Sequence, residues 1–181
     1  GFHRYTFPET ENAHIIFDLN HGIYNYDGKV LWSYIRVEND TLVTGCRITS
    51  GWARTNYLYF AMIFSKPVKS YGGKNEEELV YKGFWRKFDQ ERNFPEMAGR
   101  KLKAHFDFDT KQGEKIMIRF GISAVSTEGA LKNLQAEVPA FNFEKTRQEA
   151  KQRWQEELGR IRIDAPAEKK ITFYTSLYHT F

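Results

Sequence analysis

Tyr57-Leu-Tyr-Phe-Ala-Met-Ile-Phe64 decides the fold. Apolar and aromatic side chains follow one another there without polar alternation. Such a short run predicts a central strand covered on both faces. The runs around it fit the same architecture. Residues 2–7 alternate and stop at Pro8; residues 13–19 lead to His21-Gly22; Asn25-Tyr-Asp-Gly28 reads as a turn. Residues 29–38 and 41–49 flank Asn39-Asp40, a connection short enough for a hairpin. Residues 102–109 and 114–122 alternate cleanly and predict a second hairpin around Thr110-Lys-Gln-Gly113. Strands at this spacing predict a sandwich of antiparallel sheets. Residues 65–100 do not read as regular throughout. They hold Tyr71-Gly-Gly-Lys-Asn75, the acidic run Glu76-Glu77-Glu78, a strand-like run at 79–88 and Asn93-Phe94-Pro95. A connection that long is often functional or docked on a neighbour.

Helical periodicity takes over after residue 125. Ser126 or Thr127 can cap a helix over 128–137 that aligns Leu131, Leu134 and Val138, and Pro139 ends it. Asn142 caps a second helix, 143–158, with Phe143, Ala150, Trp154 and Leu158 at helical spacing and Gly159 behind it. A last apolar helix occupies 168–181 with no cap after it, so the chain is expected to be a piece of a larger protein. The expected organisation is a partial β-sandwich over 1–125, linker helices over 126–164 and the truncated start of a helical domain over 165–181. Phe173, Leu177, Tyr178 and Phe181 share one stripe of that last helix, which predicts self-association of the isolated segment, docking on the rest of its protein, or a disordered last helix.

Composition narrows the function classes. Hydrophobic residues at 41% and charged residues at 28% mark a globular chain. Aromatic residues at 16% suit packed sheet faces and sugar platforms alike. The net charge of +4 is scattered; Lys82, Arg86 and Lys87, the longest basic cluster, read as a solvated loop, and nucleic acid is not an expected partner. The one cysteine, Cys46, excludes an internal disulfide framework and a cysteine-based metal site; it reads as a small core residue rather than a nucleophile. No window approaches the ~18 apolar residues of a membrane span.

Few residue patterns point to chemistry. Asp107 and Asp109 share a strand face and could act as paired carboxylates, but Phe106 and Phe108 take the other face, so they read as the wet side of an alternating strand. The five histidines show no metal-binding spacing; His21, at a strand end beside Asp18, is the best placed to reach a ligand. Trp52 with Arg54, in Ser50-Gly-Trp-Ala-Arg54, and Trp85, in Gly83-Phe-Trp-Arg-Lys87, are candidate sugar contacts. There the ring would stack on the sugar and the guanidinium reach its hydroxyls, although interior packing is the commoner fate of tryptophan.

Several stretches together carry a family resemblance: Gly1-Phe-His-Arg-Tyr-Thr-Phe-Pro8, Phe17-Asp-Leu-Asn-His21, Gly51-Trp-Ala-Arg54, Tyr59-Phe-Ala-Met62, Gly121-Ile-Ser-Ala-Val-Ser-Thr-Glu-Gly-Ala130 and Phe173-Tyr-Thr-Ser-Leu-Tyr-His-Thr-Phe181. In order and spacing the chain resembles the Bacteroides-type exo-acting α-mannosidases of glycoside hydrolase family 92. The resemblance implies the later part of an antiparallel β-supersandwich, linker helices and the first helix of an (α/α)6 catalytic barrel. It implies, for the intact protein, calcium-dependent hydrolysis of terminal α-mannosides of mannose-rich N-glycans with inversion, α-1,2 linkages foremost. It also implies a periplasmic, cell-surface or secreted location. No residue here matches the family's acid, base or calcium ligands, so this part is expected to wall the active site and to be inactive alone. The competing expectation is a non-catalytic carbohydrate-binding or adhesion sandwich.

Overall fold

The computed structural model of the chain describes residues 1–22, 24, 26–76 and 95–181. These form two compact units, 1–141 and 142–181. The first holds nine strands: β1 (Phe2–Phe7), β2 (Thr10–Asp18), β3 (Val30–Val37), β4 (Leu42–Thr49), β5 (Asn56–Phe64), β6 (Ser70–Asn75), β7 (Glu96–Gly99), β8 (Leu102–Thr110) and β9 (Glu114–Ser123). Six make an antiparallel sheet in the order β1-β9-β5-β4-β3-β7; the other three make a second antiparallel sheet, β2-β8-β6.

The sheets meet over one core. Phe60, Met62 and Phe64 of β5 face Phe106 and Phe108 of β8, with the Phe64 ring 5.0 and 5.5 Å from those two. Ile116 and Ile118 of β9 join the same cluster. The register places Ala61 beside Gly121 on the opposite face, and there α1 (Thr127–Glu137) packs on β5 and β9. The second half of β5 is thus covered on both sides, as its unbroken apolar run predicts. The first half is not: Tyr57 and Leu58 are exposed. Cys46 is buried, but on the outer face of the large sheet between Tyr34 and Tyr59 rather than in the sandwich core.

α1 is seated by backbone proximity. Ser126 Oγ accepts from the Gly129 N–H at 3.0 Å and fixes the helix start. Ala130 and Leu134 are fully buried. Gly121 lies so close beneath them that a Cβ there would stand 2.7 Å from Leu134 Cβ and inside contact of the Ala130 carbonyl oxygen. Arg119 reaches past the helix end. Its Nη1 donates to Val138 O at 2.6 Å, and its guanidinium lies 4.5 Å from the centre of the Phe141 ring.

The turn at 110–113 is not a hairpin. β8 pairs with β2 and β6, whereas β9 pairs with β1 and β5, so this tight connection carries the chain from one sheet to the other. Both strands have one apolar face, and burying both requires the faces to oppose each other across the sandwich rather than lie side by side. Thr110 Oγ1 donates to Pro8 O at 2.7 Å and Lys66 Nζ bridges to Glu114 at 2.7 Å, which pins the crossing. The hairpin at 38–41 does form, closed by Asn39 Oδ1, which accepts from the N–H groups of Thr41 and Leu42. The stretch 70–75, read as irregular, is strand β6. Gly73 serves packing: a Cβ there would stand 2.8 Å from Met97 Cε and 2.9 Å from Lys103 O. The strand-like run at 79–88 lies outside the described residues.

The second unit contains α2 (Phe143–Leu158) and α3 (Ala167–Tyr178). Asn142 Oδ1 caps α2 through the Lys145 N–H at 3.1 Å. The Trp154 ring meets Tyr178 at 4.6 Å and Phe181 at 5.9 Å, so part of the apolar stripe of the last helix has a partner in this chain. Ile171 remains 68% exposed. The two helices read together as a linker therefore belong to different compact units, α1 to the first and α2 to the second.

Candidate functional site

His21, Trp52 and Arg54, singled out for sugar contact, lie in the turn after β2 and the loop after β4. After β2 the chain reverses around Asp18, whose Oδ1 accepts from the N–H groups of Asn20 at 2.7 Å and His21 at 3.0 Å. The His21 carbonyl then accepts from Arg47 Nη2 at 2.9 Å, which ties this turn to β4. Burial pulls the Arg47 guanidinium below its ordinary pKa, and nearby Asp18 acts in the other direction. Arg47 Nε has no hydrogen-bond partner among the described residues.

β4 runs from Arg47 into the loop at 50–55. That loop is stitched to the segment before β3 by three bonds. Ser50 N donates to Lys29 O at 2.9 Å, Ser50 Oγ to Gly28 O at 3.2 Å, and Tyr26 Oη to Ser50 O at 3.2 Å. Gly28 makes the turn possible with φ of +83°, a region that favours glycine. The stitched base holds the loop while its tip stays bare. Trp52 is wholly exposed, with 110% relative exposure, and Arg54 is exposed too. An indole left entirely in water on an ordered rim is available to stack on a partner.

His21 is tied to β4 through Arg47, and the loop that follows β4 carries Trp52 and Arg54, both exposed. Trp85 lies outside the described residues. Sequence reading missed Arg47, Tyr26 and an aromatic row beside the rim: Trp32, Ile48 and Tyr57 sit opposite one another on the outer face of the large sheet, with Trp32 and Tyr57 exposed. The alternation of Trp32, Tyr34 and Arg36 along β3 was the signal for that row. The paired aspartates are surface groups: Asp107 accepts from Ser70 Oγ at 2.7 Å, and Asp109 pairs with Lys69 at 2.6 Å. Among the described residues no three His, Cys, Asp or Glu side chains converge to hold a metal ion, and no helix is long and apolar enough to cross a membrane.

Residues 1–123 match the family model for the glycosyl hydrolase family 92 N-terminal domain, and residues 129–181 match that family's catalytic-domain model. The chain belongs to glycoside hydrolase family 92. A family 92 α-mannosidase from Bacteroides thetaiotaomicron is 34% identical, with a TM-score of 0.81 over 98% of this chain. The same α-mannosidase has also been solved in complex with mannoimidazole. An inverting family 92 mannosidase from Bacteroides thetaiotaomicron VPI-5482 is 29% identical, with a TM-score of 0.78 over 99% of this chain. The chain spans only 22–23% of the length of these family 92 relatives. No curated protein matches the sequence at a significant level. The nine strands of the described residues and the helices after them accordingly belong to the family 92 β domain and the start of its helical domain.

Proposed function

We propose that the whole polypeptide is an exo-acting α-mannosidase that removes terminal mannose from mannose-rich N-glycans with inversion. In this reading the 181 residues supply the β wall of the active site and the beginning of the catalytic domain. The observation that carries the proposal is family 92 membership along the entire chain, including the catalytic-domain match of residues 129–181. That second match supports an enzyme over a free-standing carbohydrate-binding or adhesion module.

Inverting hydrolysis needs two carboxyl groups about 6.5–9.5 Å apart. One, protonated, gives its proton to the leaving glycosidic oxygen as the C1–O bond breaks. The other takes a proton from the water that attacks C1 from the opposite face. No pair in this chain is assigned these roles, because Asp107 and Asp109 are held by Ser70 and Lys69 on the wet face of the small sheet. This chain's contribution is binding: Trp52 offers a ring face to a sugar, and Arg54 and His21 offer polar groups to its hydroxyls. α-1,2 specificity, a calcium requirement and a periplasmic, cell-surface or secreted location are part of the proposal and rest on the family resemblance. No calcium ligand is assigned here, since no metal-holding group converges among the described residues. The remainder of the polypeptide is proposed to cover the exposed part of α3, and the isolated segment to self-associate through it.

The test is mannose release from an α-1,2-linked mannobiose by the full polypeptide, with and without a chelator, followed by NMR so that the first-formed anomer is seen. Release of β-mannose supports the proposal, and its loss on chelation supports the calcium part. No release, or α-mannose as the first product, overturns it. The 181-residue segment alone should release none.

A further inference from the structure

Asp27-Gly28 is the one place in the chain where an aspartate or asparagine is followed by glycine. The pair forms the middle of the turn before β3, closed by the Lys29 N–H donating to Tyr26 O at 3.1 Å. Both residues are exposed. Gly28 has φ of +83°, with nothing within 4 Å of where a Cβ would stand, so its nitrogen is open to approach. The bonds that hold the turn fall on carbonyl oxygens: Tyr26 O accepts from Lys29 N, Lys29 O from Ser50 N, and Gly28 O from Ser50 Oγ. Among the described residues neither the Gly28 N–H nor the Asp27 carboxyl group makes a hydrogen bond or ion pair. Asp18, Asp107 and Asp109, by contrast, are each held by a donor.

We propose that Asp27 converts spontaneously to isoaspartate and that the conversion loosens the loop carrying Trp52. The Gly28 nitrogen attacks Asp27 Cγ. A carboxyl oxygen leaves as water, taking up the proton of that nitrogen, and a succinimide ring closes. Water then opens the ring. Breaking the new Cγ–N bond restores aspartate; breaking the original peptide C–N bond leaves Gly28 joined through Cγ. Water is lost and regained, and no oxidant or cofactor is consumed. The main chain then runs through Asp27 Cβ and is one atom longer. That length displaces Gly28 O and Lys29 O, the two acceptors that hold Ser50 at the base of the 50–55 loop.

The test is incubation of the full polypeptide in warm neutral buffer, then labelling with isoaspartyl methyltransferase and a labelled methyl donor, with peptide mapping. The label should accumulate in the peptide that holds residues 26–29, at unchanged parent mass and shifted elution. In the converted fraction the Ser50 amide should exchange about fivefold faster, as loss of one hydrogen bond implies. Asp27→Glu, whose longer side chain closes such a ring far more slowly, should keep the melting temperature, take no label there and hold the exchange of Ser50 constant. No label at 26–29 in the native protein, or a label that persists there in Asp27→Glu, overturns the site. Conversion without faster Ser50 exchange overturns the link to the loop.

Discussion

Gly121→Ala should undo the seat of α1. The added Cβ would stand 2.7 Å from Leu134 Cβ, 3.1 Å from Leu134 N and inside contact of the Ala130 carbonyl oxygen. Two of these are backbone atoms, so no side chain can swing away and the helix itself must rise by roughly 1 Å to restore ordinary contact. Overpacking of this kind costs about 1–3 kcal/mol. Complete undocking sets the upper bound. It would expose Leu134, about 1.5–3 kcal/mol, and break the Arg119–Val138 bond, about 1.5–3 kcal/mol for a charged donor. The expected loss is therefore about 3 kcal/mol, below a ceiling of about 6 kcal/mol. Urea unfolding gives the stability, and amide exchange of residues 130–138 shows whether the loss is local to the helix. Gly113→Ala, where φ is +74° and open space surrounds the Cβ, serves as the comparison. A Gly121→Ala protein within about 0.5 kcal/mol of the parent, with helix protection unchanged, would refute this account of how α1 is held.

Phe106→Ala, which removes a fully buried ring in contact with Phe64, should cost about 3–5 kcal/mol in the same unfolding measurement. The Lys66 ammonium, and then the Lys111 N–H, hold the Glu114 carboxyl below its usual 4.5. A lowered folded-state pKa gives stability that is present above 4.5 and lost as pH falls through the folded value, so the acid limb of a stability–pH profile should be shallower in Glu114→Gln. Burial pushes the Cys46 thiol up, with a weaker opposing bond from the Leu58 backbone. Cys46 should therefore resist a thiol reagent at neutral pH until urea unfolds the sheet, and rapid labelling of the native protein would contradict its placement.

Periodicity made the strands legible because each apolar face is two residues deep in the pattern and bounded by turn residues. It could not say which strands pair. The alternation of 102–109 and 114–122 is the same whether their apolar faces lie side by side or oppose each other, and only pairing with β2 and β1 resolves it. β6 was hidden by Gly72 and Gly73, which read as turn residues; Gly73 in fact permits close approach to Met97. The helix cap at Asn142 was plain and the first was narrowed to Ser126 or Thr127, of which Ser126 is the cap, since short polar side chains before an apolar periodic run have few other uses. At the rim, Trp52 and Arg54 were visible as an unusual pair in a loop. Arg47 was not, because its role is a bond to the His21 carbonyl that no side-chain pattern encodes.

The central claim is that this β domain presents Trp52 to the sugar while the chemistry is done elsewhere. The most direct measurement is the initial rate of the full polypeptide on an α-linked mannobiose, parent against Trp52→Ala. Loss of an exposed stacking ring should raise KM and lower kcat/KM by about tenfold or more, with the melting temperature unchanged because the indole is exposed in this segment. A Trp52→Ala enzyme with kcat/KM within about twofold of the parent would contradict the claim.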